Sequence, residues 1–154
     1  MSDLLPAVPG LFLGSDEKPW DGSKLINIIK KAYFQGPILY DTANFPPVWC
    51  FLNGQWMDSV EGDTNTPMVS GKFTVFKLHL FFNNLTQDAT FTLRKNGANT
   101  SMTITIPAGQ TGFFTSTSSV SILTNDLCNI QIDTPYDLAG LQLKGSWLLE
   151  FQPD

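Results

Sequence analysis

The segment LQLKGSWLLEFQ, at residues 141–152, restricts the fold more than any other part of the chain. Alternate positions carry apolar residues or Gly: Leu141, Leu143, Gly145, Trp147, Leu149 and Phe151. Apart from Leu148, the positions between them are polar. A period of two sorts side chains onto the two faces of a β-strand, whereas an amphipathic helix repeats every 3.6 residues. The segment therefore predicts a strand with one face in a core and the other toward solvent or a partner.

Several shorter segments between residues 73 and 133 have the same character and are separated by turn residues. Three of them place apolar residues at alternate positions: Ala89, Phe91 and Leu93; Met102, Ile104 and Ile106; Cys128, Ile130 and Ile132. Asn96-Gly97 separates the first two, and Asn53-Gly54 lies between VWCFL and QWM. Asn and Gly both tolerate the positive φ of a type I′ turn, so each pair predicts a hairpin. This rhythm predicts an all-β, antiparallel sandwich or barrel.

The beginning of the chain differs, and we divide the sequence into an attachment segment, residues 1–36, and a sandwich domain, residues 37–154. Pro and Gly interrupt residues 1–22, which predicts an arm without regular structure. Helical spacing of apolar residues, with Ser23 as N-cap, predicts one short helix over residues 23–34. The arm is more apolar than a disordered tail. Its candidate contacts with another subunit or a partner protein are Leu4, Leu5, Leu11, Phe12, Leu13 and Trp20.

Charge and length narrow the classes of partner. The chain has 154 residues, of which 42% are hydrophobic, enough for one sizeable core. A net charge of −5 opposes binding to nucleic acid or to anionic membranes, because both surfaces are negative. No apolar run approaches the roughly 18 residues of a membrane-spanning helix, and the first residues do not resemble a secretion signal. We expect a soluble protein that is made in the cytoplasm.

The sequence does not assemble the parts of an enzyme site. His79 is the only histidine, and its central position in FTVFKLHLFF favours a structural role over that of a catalytic base. Asp58, Glu61 and Asp63 are close in sequence, but DSVEGD lacks the alternation and terminal Glu of an EF-hand loop. Paired carboxylates of the glycosidase kind can be far apart in sequence, so spacing does not address them. We expect no catalytic residue, no metal and no cofactor.

Two further sets of residues have an ordinary and a functional interpretation. Cys50 and Cys128 lie in apolar stretches, which favours buried free thiols, while a disulfide between them stays open. Most of the 12 Phe and four Trp residues are expected to fill the core. Trp49 and Trp56 are less easily placed there, and we take them as candidate exposed aromatic contacts for a ligand.

Residues 90–112, TFTLRKNGANTSMTITIPAGQTG, followed by SVSILTNDLCNIQID, resemble jelly-roll domains of tailed-phage structural proteins, including head fibres, capsid decorations and C1q-like sandwiches. The resemblance covers roughly residues 71–152. It includes the R-K-N-G hairpin, the alternating strand that ends in Pro-Ala-Gly, and the Asp-Leu turn. Asn125-Asp126 stands where the pattern has Gly-Asp, and Cys128 replaces an aliphatic residue.

The resemblance implies a jelly-roll β-sandwich that assembles as a homotrimer on the virion. The leading hypothesis is a capsid decoration (cement) or head-fibre protein, bound through its arm to the major capsid protein or another virion protein. The alternative is the receptor-binding tip of a tail fibre, which recognises a host surface glycan. A third hypothesis, a small glycan-degrading enzyme, would need paired carboxylates that the sequence does not identify.

Overall fold

The computed structural model describes residues 31–41, 48–52, 61, 69–134 and 140–154. All the regular structure within these ranges is β-strand, so the all-β prediction is confirmed. The strands are β1 (Ala32–Asp41), β2 (Val48–Phe51), β3 (Gly71–Asn83), β4 (Ala89–Lys95), β5 (Ala98–Ile106), β6 (Gly112–Ser116), β7 (Val120–Ile122), β8 (Cys128–Asp133) and β9 (Gln142–Pro153).

The strands form two antiparallel sheets with jelly-roll connectivity. One sheet has the order β1-β9-β3-β6, with β7 also paired to β3, and the other has the order β2-β8-β4-β5. The pairs β1·β9, β2·β8, β3·β6 and β4·β5 are nested about the middle of the chain, as in a long hairpin rolled into a sandwich. β6 and β7 succeed each other along β3 and together take one strand position. The predicted jelly-roll sandwich is therefore confirmed.

The inward faces of the two sheets share one hydrophobic core. In β9, Leu143, Gly145, Trp147, Leu149 and Phe151 are all buried, as the period of two predicted. The predicted inward sets in β4, β5 and β8 are buried too. Phe34, Phe73 and Phe151 pack edge to face, with centroids 5.2 to 6.2 Å apart. This geometry suits the charge distribution of aromatic rings and joins β1, β3 and β9.

The predicted turn at Asn96-Gly97 is present and is also tied to the rest of the domain. Both residues have positive φ, 52° and 75°, and they join β4 to β5. The Asn96 side chain accepts a hydrogen bond from the backbone N–H of Leu127 at 2.8 Å and donates one to Asp126 at 2.7 Å. The hairpin end is thereby fixed to the β7–β8 connection. Asn53-Gly54 lies outside the described residues.

The short helix predicted over residues 23–34 is not seen. Ala32 to Phe34 belong to β1 and pair with Phe151 to Leu149 of β9, while residues 23–30 lie outside the described part. Aromatic residues suit a strand, and pairing along the whole of β1 outweighs a weak local helical preference. The sandwich thus takes in residues 32–36, which the sequence division assigned to the attachment segment.

Candidate functional site

The outer side of the four-stranded sheet carries a polar face. Strand register aligns its outward residues in two neighbouring rows across β2, β8, β4 and β5. These rows, which we call the polar face, are Trp49, Gln131, Thr92 and Thr103, followed by Phe51, Asn129, Arg94 and Asn99. Alternation along the strands puts these side chains on the side opposite the core. The face is only partly open, because Phe51, Thr92 and Asn129 are buried, at 3%, 7% and 1% exposure.

Arg94 organises the second row through its guanidinium group. It donates two hydrogen bonds to Glu61: one from Nε to Oε1 at 2.7 Å, and one from a terminal nitrogen to Oε2 at 3.1 Å. Its other terminal nitrogen donates to Asn99 Oδ1 at 2.6 Å and to Gln131 Oε1 at 2.8 Å, and the Gly97 carbonyl accepts a further bond. A planar guanidinium suits such a fork of acceptors better than an ammonium group.

Glu61 is the described member of the acidic cluster that the sequence singled out. Burial acts to raise the pKa of its carboxyl, but hydrogen bonds from Arg94 and Asn129 and the charge of Arg94 outweigh burial and hold the pKa below its ordinary value. The carboxylate is therefore charged and engaged near neutral pH. Asp58 and Asp63 lie outside the described residues.

Two buried polar atoms on the polar face lack a hydrogen-bond partner in the described structure. They are Nε1 of Trp49, a donor, and Oδ1 of Asn129, an acceptor. Asn129 is only 1% exposed, although its Nδ2 donates to Glu61 at 3.1 Å. Unpaired buried polar atoms are uncommon in folded proteins because each forfeits a bond to water. Trp49, which the sequence predicted as an exposed contact, is half-buried.

The outer side of the five-stranded sheet presents a second, aromatic face. We define it by Tyr33, Leu39, His79, Phe82 and Phe113, all of which are exposed. Leu39 and Phe82 flank Lys144 in one row, and the Lys144 Nζ lies 5.3 Å from the centroid of the Phe82 ring. His79 and Phe113 lie in the next outward row, whereas Tyr33 lies three rows from Leu39, beside Glu150. Large apolar side chains grouped on one face, as Leu39, Phe82 and Phe113 are, are typical of contact surfaces.

His79 takes part in this face and not in the core. Its imidazole stacks on the ring of Phe113, with centroids 4.2 Å apart and planes 9° from parallel. Phe113 is 81% exposed, the highest value among the large hydrophobic residues that the structure describes as exposed. Its place in an apolar strand predicts a structural role but not a face, and alternation along β3 turns its side chain outward, onto Phe113. Its neighbours in the strand register are Phe113 and Ser146.

The structure leaves most of the predicted contact residues untested. The arm residues Leu4, Leu5, Leu11, Phe12, Leu13 and Trp20, and also Trp56, lie outside the described residues. Sequence reasoning did not single out Arg94, Asn129 and Gln131, or the members of the aromatic face. Outward alternation in β4 and β8 was the available signal for the first group, but register, which aligns residues of different strands, is not visible in the sequence.

Cys50 and Cys128 are both buried free thiols, as the first interpretation predicted. Burial raises the pKa of each to about 12, with the charge of Asp126 adding to the effect at Cys128. Thiols with such pKa values are poor nucleophiles near neutral pH.

In the described ranges no three His, Cys, Asp or Glu residues come together as a metal ion would require. These same ranges also lack a helix long and apolar enough to cross a membrane.

Comparisons with known proteins add little. No family model matches the chain, and no curated protein matches it. Among solved structures, a Podospora anserina GH26-CBM35 β-(1,4)-mannanase aligns with a TM-score of 0.36 and 14% identity. The alignment covers 77% of this chain and 28% of that enzyme, so the chain spans well under a third of its length. A TM-score this low supports neither a shared fold nor a shared function.

Proposed function

We propose that this chain is a structural protein of a virus particle, a capsid decoration (cement) or head-fibre protein. It works by contact with the major capsid protein or another virion protein, as a homotrimer on the outer shell, and performs no catalysis. The resemblance at residues 90–133 suggests this role, and the aromatic face supports it. The arm at residues 1–22 is its other attachment element.

The aromatic face carries the proposal because it suits a protein partner. Tyr33, Leu39, Phe82 and Phe113 expose apolar area that a free monomer would normally cover, and aromatic residues are enriched in interface cores. The cations on this side include Lys31, Lys72, Lys77 and Lys144. The described acids are Asp41 and Glu150, and Glu150 is paired with Lys31 at 2.7 Å, so amines are in excess on this face although the chain as a whole is acidic. A neutral or acidic protein surface fits a face with aromatic rings and amines better than a basic one does.

The test is reconstitution on particles that lack this protein. The variant Leu39→Ser/Phe82→Ser removes two large side chains from the aromatic face, and both are partly in solvent, at 42% and 40% exposure, so the fold should tolerate the change. The control Leu127→Ser removes a side chain of similar exposure, 45%, at the β7–β8 connection. We expect the double variant to lose most of its occupancy and the control to keep it. Equal occupancy of the two would contradict a role for the aromatic face.

A carbohydrate-recognising fibre tip is the second candidate, and the polar face is the observation that favours it. An indole beside planar amide and carboxylate groups is chemistry suited to a hydroxyl-rich ligand, and Trp49 and Gln131 are both partly exposed and neighbours in one row. Glycan-array binding that Gln131→Ala abolishes would favour this candidate. An array without signal at high protein concentration would leave the decoration role as the better proposal.

A further inference from the structure

Thirty consecutive residues, 96–125, contain no Asp, Glu, Lys, Arg or His. Charged residues make up 15% of the chain, so about four would be expected in a stretch of this length. The stretch contains all of β5, β6 and β7. We call the exposed surface of residues 96–125 the uncharged edge; it borders the aromatic face on β6 and shares Phe113 with it.

These strands lie together along one side of the sandwich. β5 ends the order of the four-stranded sheet, while β6 and β7 pair only with β3 among the strands that the structure describes. β5 also contacts β6 and β7, so the ends of the two sheets meet on this side. Free sheet edges display unpaired N–H and C=O groups, and proteins usually protect them with charged residues or Pro. β5, β6 and β7 contain neither.

The uncharged edge is large and accessible. Of its 30 residues, 20 are exposed and five are partly exposed. A specific protein interface uses about 20–30 residues on each side. Lys95 and Asp126, which bound the stretch in sequence, form an ion pair at 3.4 Å. The nearest charges in sequence on both sides are therefore neutralised by each other.

Rotational symmetry gives a physical reason for an edge without charge. Near the axis of a closed homo-oligomer, each residue meets copies of itself or of its neighbours. A charged side chain would there face the same charge at close range, whereas Ser, Thr and apolar groups can pack or exchange hydrogen bonds. A different protein would impose no such constraint, because it could supply opposite charges. We propose that copies of this chain pack their uncharged edges together around a common symmetry axis.

This inference rests on the homotrimer of the proposed function and assigns its contact surface. The test places a carboxylate on the edge where it will not harm the single copy. Thr115 is exposed on β6 and pairs with Lys77, so Thr115→Glu gains an opposite charge within its own subunit. Gln35 is exposed in the same row of the sheet, at the opposite edge on β1, which makes Gln35→Glu a matched control.

Sedimentation equilibrium at micromolar concentrations measures the oligomeric state and the dissociation constant of each variant, and circular dichroism checks that each variant is folded. We expect the parent and Gln35→Glu to be trimers, and Thr115→Glu to be folded with a dissociation constant raised at least tenfold. If Thr115→Glu fails to fold, Ser121→Glu on β7, opposite Lys72, gives the same test. If all variants form trimers with the dissociation constant of the parent, the uncharged edge is not the contact between subunits, although the homotrimer itself is retained. A monomeric parent would overturn both the homotrimer and this inference.

Discussion

Trp147 lies on β9 between β1 and β3, and its truncation is the sharpest test of the fold. The side chain is 2% exposed and its residue pairs with Gly36 on one side and Leu78 on the other. Replacing a buried Trp by Ala costs about 3–5 kcal/mol in lost burial and a residual cavity. For a domain of this size each kcal/mol lowers the melting temperature by about 2–4 °C. We therefore expect Trp147→Ala to melt about 6–20 °C below the parent.

Gly36 provides an internal check on that explanation. A Cβ at Gly36 would lie 2.8 Å from Cζ2 and Nε1 of Trp147, too close for unaltered packing. Gly36→Ala alone should therefore cost about 1–3 kcal/mol through overpacking. In the double variant the clash is gone and the added methyl enters the space of the missing indole. We expect Gly36→Ala/Trp147→Ala to be no less stable than Trp147→Ala alone.

Thermal unfolding monitored by circular dichroism, at one protein concentration for all four proteins, measures this cycle. Fixed concentration matters because association shifts the apparent melting temperature. An unchanged melting temperature for Trp147→Ala would show that the indole is exposed and the register of β9 is wrong. Strictly additive losses in the double variant would instead refute the close packing of Gly36 on the indole.

Other variants test the polar face, the hairpin and the core thiols. Arg94→Ala should lower the free energy of unfolding by about 1–3 kcal/mol, measured by urea titration, because it leaves partly buried acceptors unsatisfied. Hydrogen bonds, first from the backbone of Leu123 and then from Asn96, lower the pKa of the Asp126 carboxyl below its ordinary 3.8. The charged carboxylate therefore stabilises the fold above pH 3.8, and this stabilisation is lost as the pH falls through the lowered pKa. Asp126→Asn should therefore flatten the fall in melting temperature on acidification, and an identical acid profile would contradict this. Cys50 and Cys128 should react with Ellman's reagent only after denaturant is added, whereas rapid labelling of the native protein would refute their burial.

Much of the fold was accessible from the sequence because the information is local. Alternation identified the inward residues of β4, β5, β8 and β9, and Asn96-Gly97 identified the hairpin. The helix prediction failed where the local signal was weak and pairing between β1 and β9 decided the structure. The same strand pairing determines which outward residues become neighbours.

The candidate surfaces were harder to predict for that reason. Trp49, Gln131 and Thr92 are far apart in sequence and become a row only when β2, β8 and β4 are in register. His79 could be assigned to a strand but not to a face, because FTVFKLHLFF is apolar on both sides of it. The bulges in the β3–β9 pairing shift the alternation further and bring Phe81 and Phe82 both to the surface.

The central claim is that this jelly-roll domain is a component of the outer shell of a virus particle. Quantitative mass spectrometry of extensively purified particles, from the source that encodes the chain, tests it most directly. Particles carrying a deletion of residues 1–20 should be compared in parallel, since the arm is a proposed attachment element. We expect the full chain in particles at a copy number that is a multiple of three per attachment site, and its loss from particles after the deletion. Particles that lack the full chain while it accumulates free in the lysate would contradict the claim.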